Sequence, residues 1–246
     1  MRVGGIIDVS TKDIPHRSSM VIFTVGCNFK CDFCHNKYLL QPNVGREYEI
    51  KELIDIIKTN LLVSGVSISG GEPTLQKDLP ELCKQVQKSG KYINIDTNGS
   101  NPDVIMQISS YINRVAMDLK SPLNLEKFRK ITHTKVNLDK IIETIKFLIT
   151  QKDIEFEIRT TYVEKLLDAR DINEIIDYLR SIDFKGNFVL QQYQYREGVG
   201  ENFKEIFSKP EHYVLYNILK PYKGLGLPFK LFLRDEFVGY CNIDDI

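Results

Sequence analysis

The sequence lacks an excess of charge of either sign. Lys and Arg together number 33, and so do Asp and Glu, so the formal net charge is +0 at pH 7. A chain balanced in this way offers no bulk attraction for nucleic acid or for an anionic membrane. We therefore expect neither as a partner.

Long apolar runs are also missing. The first stretch, MRVGGIIDVSTKDIPHRSS, has no apolar core of the kind that a signal peptide needs, and no other run could span a bilayer. The five cysteines are an odd number and three are clustered, whereas a disulfide framework uses pairs spread along the chain. A reducing compartment fits these features, and we expect a cytoplasmic protein.

Short β-type runs alternate with amphipathic helical runs along the chain. Roughly six strand–helix units follow one another, without a linker, a usable repeat or a low-complexity segment. Such alternation favours a parallel sheet with right-handed crossovers, and a closed eight-unit barrel needs more units. We expect an α/β fold, a partial open (β/α)6 barrel, with a doubly wound sheet as the rival. The expected domain is single, 1–246, with a core of roughly 18–195 and two terminal extensions.

Three cysteines follow the first strand of these units at the spacing C-x3-C-x2-C: Cys27, Cys31 and Cys34. A zinc site needs four ligands, and His35 directly follows the third cysteine, so the two rarely reach one tetrahedral ion. A cubane iron–sulfur cluster normally takes four cysteines, but Cys83 lies in an amphipathic helix and Cys241 near the end of the sequence. Three thiolates on a four-iron cluster leave one iron open for a substrate or cofactor.

The stretch CNFKCDFC, with Phe33 before the third cysteine, resembles the cluster loop of the radical S-adenosylmethionine (SAM) enzymes. The resemblance implies that Cys27, Cys31 and Cys34 hold a [4Fe-4S] cluster whose open iron chelates SAM. One electron then cleaves the sulfonium and releases a 5′-deoxyadenosyl radical. The family fold is a partial (β/α)6 barrel, in agreement with the unit count. Phe33 would pack near the adenine, and Asn36 continues a CHN motif found among activating enzymes of glycyl-radical proteins.

The stretch SISGGEP lies at the end of the next predicted strand, where α/β barrels carry their functional groups. Two glycines let the backbone approach a ligand closely, and Glu72 adds an acceptor for an ammonium group. Alone, this would be an ordinary strand-to-helix turn. The resemblance implies that Gly70, Gly71 and Glu72 bind the methionyl amino group of SAM.

The stretches IDTNG and AMDLK end the following two predicted strands and supply four polar residues: Asp96, Thr97, Asp118 and Lys120. The two carboxylates would lie on neighbouring strands, so they need a compensating cation, or one of them must hold a proton. Both stretches resemble those of activating enzymes in which the matching Asp and Thr help to bind a monovalent cation. The matching lysine there approaches the methionyl carboxylate of SAM. Ordinary surface charge is the alternative.

Two later strands supply the last candidates. Arg159, in EIRTTYV, is either solvated or points into a functional interior, where it could grip a carboxylate with two hydrogen bonds. The resemblance places it near the methionyl carboxylate. Gln194, in LQQYQY, stands where related activating enzymes carry a histidine that contacts SAM. An amide can still form a hydrogen bond there but cannot carry a charge.

The resemblance runs from Gly4 to Gln194 and favours a glycyl-radical-enzyme activating enzyme, with anaerobic ribonucleoside-triphosphate reductase as a candidate partner. The DTNG and DLK loops are shared with the activators of pyruvate formate-lyase. A second set of cysteines for an extra cluster is absent. The implied partners are a glycyl-radical enzyme as protein substrate and a flavodoxin- or ferredoxin-like electron donor. The alternatives are a radical SAM enzyme acting on a small molecule or nucleobase, and a non-enzymatic iron–sulfur carrier or zinc-binding module.

Overall fold

The computed structural model describes residues 1–195 and 205–246. Its strands are β1 (Arg2–Ile14), β2 (Arg17–Thr24), β3 (Arg46–Glu47), β4 (Gly65–Gly70), β5 (Tyr92–Thr97), β6 (Arg114–Asp118), β7 (Glu155–Tyr162), β8 (Asn187–Gln192), β9 (Lys230–Asp235) and β10 (Gly239–Asn242). Its α-helices are α1 (Ile50–Thr59), α2 (Leu79–Lys88), α3 (Pro102–Ile108), α4 (Leu125–Thr132), α5 (Leu138–Thr150), α6 (Ala169–Ser181) and α7 (His212–Leu219).

The strands form one sheet in the order β10-β9-β8-β7-β6-β5-β4-β2-β1-β3. The neighbours β2, β4 and β5 run parallel, and so do β7, β8 and β9. Among the described residues, β3 and β10 are the two ends of this order, so the sheet is open and not a closed barrel. The expected α/β fold with a partial open barrel is confirmed.

The helices form where the apolar spacing predicts them, and their ends have local causes. In α1 the residues Leu53, Ile54 and Ile57 recur at helical spacing and are buried. Helix α6 begins where the carboxylate of Asp168 accepts hydrogen bonds from two backbone N–H groups of the first turn. The crossovers return the chain to the sheet, so β2, β4 and β5 end at one edge within the first unit, and β7, β8 and β9 end at one edge within the second.

The N-terminal segment, expected to be an extension, is the strand β1, which pairs antiparallel with β2. Register shifts interrupt this pairing between Val3 and Gly5 and between Ile7 and Ser10. Such irregularities remove the two-residue alternation by which a strand is recognised in a sequence. Strand β10 also pairs antiparallel, with β9, so the sheet is mixed and not purely parallel.

The chain divides into two compact units. The first comprises Met1–Asn28, Tyr38–Ala116 and Asp139–Glu155, and the second comprises Phe29–Lys37, Met117–Leu138 and Phe156–Ile246. Each unit has fully buried apolar side chains of its own, among them Ile22, Leu53 and Ile68 in the first and Phe128, Phe188 and Leu233 in the second. In the part of the chain that the structure describes, no helix has the length and apolar character needed to cross a bilayer.

Candidate functional site

In the first unit, backbone contacts hold the loop after β2 against the loop after β4. The N–H of Gly71 donates to the carbonyl of Thr24 at 2.9 Å, and the N–H of Glu72 donates to the carbonyl of Gly26 at 2.8 Å. A Cβ on Gly71 would lie 2.0 Å from that Gly26 oxygen, and Gly70 has a φ of +108°. Both glycines are therefore required for two segments of backbone to pack together beside the first cysteine.

The carboxylate of Glu72 is 1% exposed and is surrounded by hydrogen-bond donors. Its Oε1 accepts from the backbone N–H of Thr74 at 3.1 Å, from the Thr74 hydroxyl at 2.6 Å and from the Thr97 hydroxyl at 2.7 Å. Its Oε2 accepts from the backbone N–H of Asn98 at 2.7 Å. Burial raises the pKa of Glu72, and these hydrogen bonds offset only part of the rise. Glu72 thus ties the loop after β4 to the loop after β5.

Asn98 extends this network to the first cysteine. Its Nδ2 lies 3.9 Å from Cys27 Sγ and donates to Asn28 Oδ1 at 2.8 Å. Asn28 in turn donates to the Ser100 hydroxyl at 2.7 Å, and the Ser100 N–H donates back to Asn98 Oδ1 at 3.0 Å. Asn98 was not among the residues predicted from the sequence, because the Asn-Gly pair in DTNG indicates no more than a loop. The signal in the sequence that could have identified Asn98 is its position directly after Thr97, a candidate site residue.

The two predicted oxygen donors at the end of β5 hold hydrogen bonds within the first unit. Asp96 accepts from the Ser69 hydroxyl at 3.0 Å and from Asn94 Nδ2 at 2.9 Å. The Thr97 hydroxyl donates to Glu72 and accepts from the backbone N–H of Gly99 at 3.1 Å. These bonds fix where the two oxygen-bearing side chains lie relative to β4.

In the second unit, Asp118 lies between two cations. Lys120 Nζ is 2.8 Å from Asp118 Oδ2, and Arg159 Nε is 3.1 Å from Asp118 Oδ1. Burial by itself would raise the pKa of Asp118, but the charges of Lys120 and Arg159 outweigh it and lower the pKa to about 2. The negative charge of Asp118 is therefore balanced by protein side chains.

The second and third cysteines also belong to this unit. The N–H of Cys34 donates to the carbonyl of Cys31 at 3.2 Å, so the two residues form a tight turn around Phe33. Phe33 is 6% exposed, and the Lys120 ammonium lies 5.9 Å from the centre of its ring. Burial would lower the pKa of Lys120, but Asp118 raises it, with smaller shares from Cys31 and Cys34. Lys120 thus lies close enough to Cys31 and Cys34 to interact with them electrostatically.

His35, which directly follows the third cysteine, contacts both Gln194 and its neighbour Tyr193. The His35 Nε2 lies 2.6 Å from the Gln194 carbonyl oxygen, and the His35 ring stacks on Tyr193 with the ring centres 5.9 Å apart. The side-chain amide of Gln194 donates to Gln192 Oε1 at 3.2 Å. Asn36 is half-buried beside His35 in the chain. The contact that joins Gln194 to His35 therefore uses the backbone carbonyl of Gln194.

The sequence profile of the Radical SAM superfamily matches residues 21–179. The chain belongs to the radical SAM superfamily. It is accordingly a radical SAM enzyme, and not a bare electron carrier or a zinc-binding module. The matched region contains the three cysteines and every SAM-contact candidate except Gln194.

Several proteins resemble this radical SAM enzyme. One from Methanocaldococcus jannaschii, provisionally named glycyl-radical enzyme activating enzyme, is 35% identical over 211 residues, which are 83% of this chain and 85% of that protein. Another from the same organism, provisionally named GTP 3′,8-cyclase, is 29% identical over 246 residues, 92% of this chain and 80% of that protein. The structure of Streptococcus suis SuiB bound to S-adenosylmethionine has a TM-score of 0.69 at 19% identity, covering 87% of this chain. The match spans 50% of SuiB, about half its length, and shows the fold.

Membership of the superfamily implies a [4Fe-4S] cluster and SAM, and the thiols present fit that group. None of the five cysteines is in a disulfide. In the residues that the structure describes, no three His, Cys, Asp or Glu side chains are placed to hold a single metal ion. A four-iron cubane does not need its thiolates to meet at a single ion, because each thiolate binds a different iron. Cys83 is fully buried on α2, and burial raises the pKa of its thiol to about 12, as befits a structural thiol.

Gly71→Ala tests the packing of the two loops. We expect it to lower the free energy of unfolding by about 1–3 kcal/mol, because the added methyl group would overlap backbone that cannot move aside. Gly5→Ala is the control, since a Cβ there would meet only the Tyr38 hydroxyl at 3.9 Å. Urea unfolding of both variants measures the difference. Equal stabilities for the two variants would contradict the close approach.

Asp118→Asn tests the charge balance of the second unit. The pKa of about 2 lies below the ordinary value of 3.8, so the charged form stabilises the fold above about pH 4 and this contribution is lost as the pH falls toward 2. We expect the variant to be less stable at pH 7, and the gap to the wild type to close in acid. Because 34% of the side chain is exposed, solvent reduces the effect.

Urea unfolding across this pH range is the measurement, and Asp103→Asn is the control because 82% of the Asp103 side chain is exposed. A gap between wild type and Asp118→Asn that stays constant down to the lowest pH would show that the ion pairs do not stabilise the fold.

Proposed function

We propose that this enzyme activates a glycyl-radical enzyme by removing one hydrogen atom from the α-carbon of a glycine in that partner. The observation that carries the proposal is the 35% identity, along 83% of the chain, to a relative named for this activity. The whole chain, 1–246, would work as one radical SAM domain. A glycyl radical is a favourable product, because the amide groups on both sides of the α-carbon delocalise the unpaired electron.

The three thiolates of Cys27, Cys31 and Cys34 would hold the cluster. When bound, the cluster supplies the electron that cleaves SAM to a 5′-deoxyadenosyl radical, which takes hydrogen from the substrate. The Asn98 amide, 3.9 Å from Cys27 Sγ, and the ammonium of Lys120 would stabilise negative charge at these sulfurs. A flavodoxin- or ferredoxin-like protein would deliver the electron in the cytoplasm.

The remaining candidates would position SAM. We assign the methionyl amino group to the loop of Gly70, Gly71 and Glu72. The Glu72 carboxylate already accepts four hydrogen bonds, so a backbone carbonyl of this loop, in which Gly70 and Gly71 are half-buried, is the better acceptor. Lys120 and Arg159 would hold the methionyl carboxylate with their remaining N–H donors. The other assigned residues are Phe33 at the adenine, Asn36 and Gln194 as further contacts, Asp118 through the two cations that it orients, and Asp96 and Thr97 toward a monovalent cation.

A second candidate function is radical chemistry on a nucleotide. It is favoured by the relative named GTP 3′,8-cyclase, which aligns with 92% of the chain. In that case GTP, and not a protein glycine, would lose the hydrogen atom.

Anaerobic reconstitution with iron and sulfide, followed by SAM, dithionite and each glycyl-radical enzyme of the same organism, tests the proposal. We expect a glycyl-radical EPR signal on one partner, beginning with anaerobic ribonucleoside-triphosphate reductase, and 5′-deoxyadenosine in equal amount. Cleavage of SAM without a radical on any partner, or with consumption of GTP, would refute the proposed activity.

Replacement of each cluster cysteine by alanine tests the ligand assignment. Cys27→Ala, Cys31→Ala and Cys34→Ala should each abolish the visible absorbance of the cluster and the cleavage of SAM, because the cluster then keeps only two protein ligands. Cys241→Ala is the matched control, since Cys241 is a free cysteine on β10 and should be dispensable. A cluster-cysteine variant that still cleaves SAM would remove that residue from the ligand set.

A further inference from the structure

In the second unit, the cysteine loop, Phe29–Lys37, packs against the C-terminal end of α4. The backbone N–H of Lys30 donates to the carbonyl oxygen of Thr132 at 2.9 Å. His133, which follows Thr132 in the chain, has its Nε2 2.7 Å from Asp32 Oδ2. The loop and the end of the helix therefore form one continuous stretch of surface.

Exposed cationic side chains come from both parts of this surface. We name them the basic patch: Lys30 of the cysteine loop, Arg129 and Lys130 of the last turn of α4, and Lys135 just beyond it. In the part of the chain that the structure describes, no member of the patch forms a salt bridge, whereas Lys127 of the same helix pairs with Asp171. The patch is thus a local excess of positive charge on a chain whose formal net charge is +0.

The stability of α4 explains only part of the basic patch. Arg129 and Lys130 lie in the last turn, where a cation interacts favourably with the negative end of the helix. Lys30 and Lys135 lie outside the helix, and this effect falls off beyond the last turn. Like charges brought together also repel one another. The patch as a whole therefore favours the approach of an anionic partner.

The basic patch lies beside two of the cluster cysteines. Lys30 directly precedes Cys31 in the chain, and Cys31 is 6% exposed. Cys34 is half-buried in the same loop. A protein that touches Lys30 is therefore within one residue of a thiol assigned to the cluster. Electron transfer between proteins needs such an approach, because its rate falls steeply with the distance between donor and acceptor.

The size of the basic patch also agrees with an electron carrier. Complexes between redox proteins are transient and bury less than about 1,200 Å² of surface, so a patch of this kind is large enough. Complementary charge raises the rate at which such partners meet more than it raises their affinity. A nucleic acid would instead need a longer basic stripe, with aromatic side chains on which its bases can stack.

From these observations we infer that the basic patch is the docking surface for an acidic one-electron carrier protein. One electron would pass from the reduced carrier to the cluster held by the three cysteines. The carrier is oxidised by one electron, the cluster is reduced by one electron, and no covalent bond forms or breaks. The inference rests on the proposed function and extends it by naming the residues that receive the electron donor.

The test uses the full-length reconstituted enzyme with the acidic flavodoxins and ferredoxins of the same organism, each supplied in reduced form. Lys130→Glu and Lys135→Glu should each slow the bleaching of the cluster absorbance by the carrier by about fivefold to tenfold at low ionic strength. The difference from wild type should shrink as salt is added, because salt screens exposed charges. The affinity for the oxidised carrier, measured without SAM, should fall in both variants.

Two controls isolate docking from the chemistry. Dithionite is a small reductant that needs no docking surface, so dithionite-driven cleavage of SAM should stay within about twofold of wild type in both variants. Lys220→Glu is the matched variant, because Lys220 is an exposed cation at the C-terminal end of another helix of this unit, α7. It makes the same change of charge and should leave reduction by the carrier unchanged. Melting temperatures confirm that each variant is folded.

The outcomes separate this inference from the proposed function. Carrier-driven reduction that is absent in wild type, unchanged in Lys130→Glu and Lys135→Glu, or equally slow in Lys220→Glu overturns the inference and leaves the activase function intact. Loss of dithionite-driven glycyl-radical formation in the two variants overturns it too, because the patch would then bind the protein substrate. Binding of tRNA by wild type that both variants lose would assign the patch to nucleic acid. Patch-dependent reduction without a glycyl radical on any partner refutes only the proposed function.

Discussion

The buried carboxylate of Glu72 is the constraint on which the first unit depends. A carboxylate with 1% exposure is stable only if nearly all its acceptor capacity is used, and four donors from Thr74, Thr97 and Asn98 use it. Its own N–H binds the carbonyl of Gly26, so one residue joins the loops that follow β2, β4 and β5. Since Cys27 follows Gly26, the position of the first thiol is set by this residue through both its backbone and its side chain.

In the second unit, one carboxylate, that of Asp118, pairs with the cations of both Lys120 and Arg159. Lys120 also interacts electrostatically with Cys31 and Cys34. Lys120 faces both Phe33 and Asp118, while Arg159 holds the other oxygen of Asp118. The carboxylate lowers the cost of burying two positive groups near one another. It also orients them, because each oxygen of Asp118 holds one of the two cations.

Much of this architecture was predictable because it depends on local patterns. The parallel strands and their helices carry regular apolar periods, and the candidate residues Gly71, Asp96 and Asp118 stand where those periods stop. Strand β1 was not predictable, since its register shifts destroy the alternation. Asn98 was missed for another reason: its amide matters through Cys27, which is 71 positions away in the chain.

The sequence by itself determined the chemistry, because three thiols within eight residues are close in any fold, and the resemblance follows from their spacing. The tertiary structure decided what surrounds them. Only the folded sheet shows that Glu72 is buried among hydrogen-bond donors. It also shows that Asp118 is shared between Lys120 and Arg159. The strand register, in turn, places Gln191 and Arg234 on one face. The physical reason is that hydrogen bonding and burial act through space, between residues that register and packing bring together.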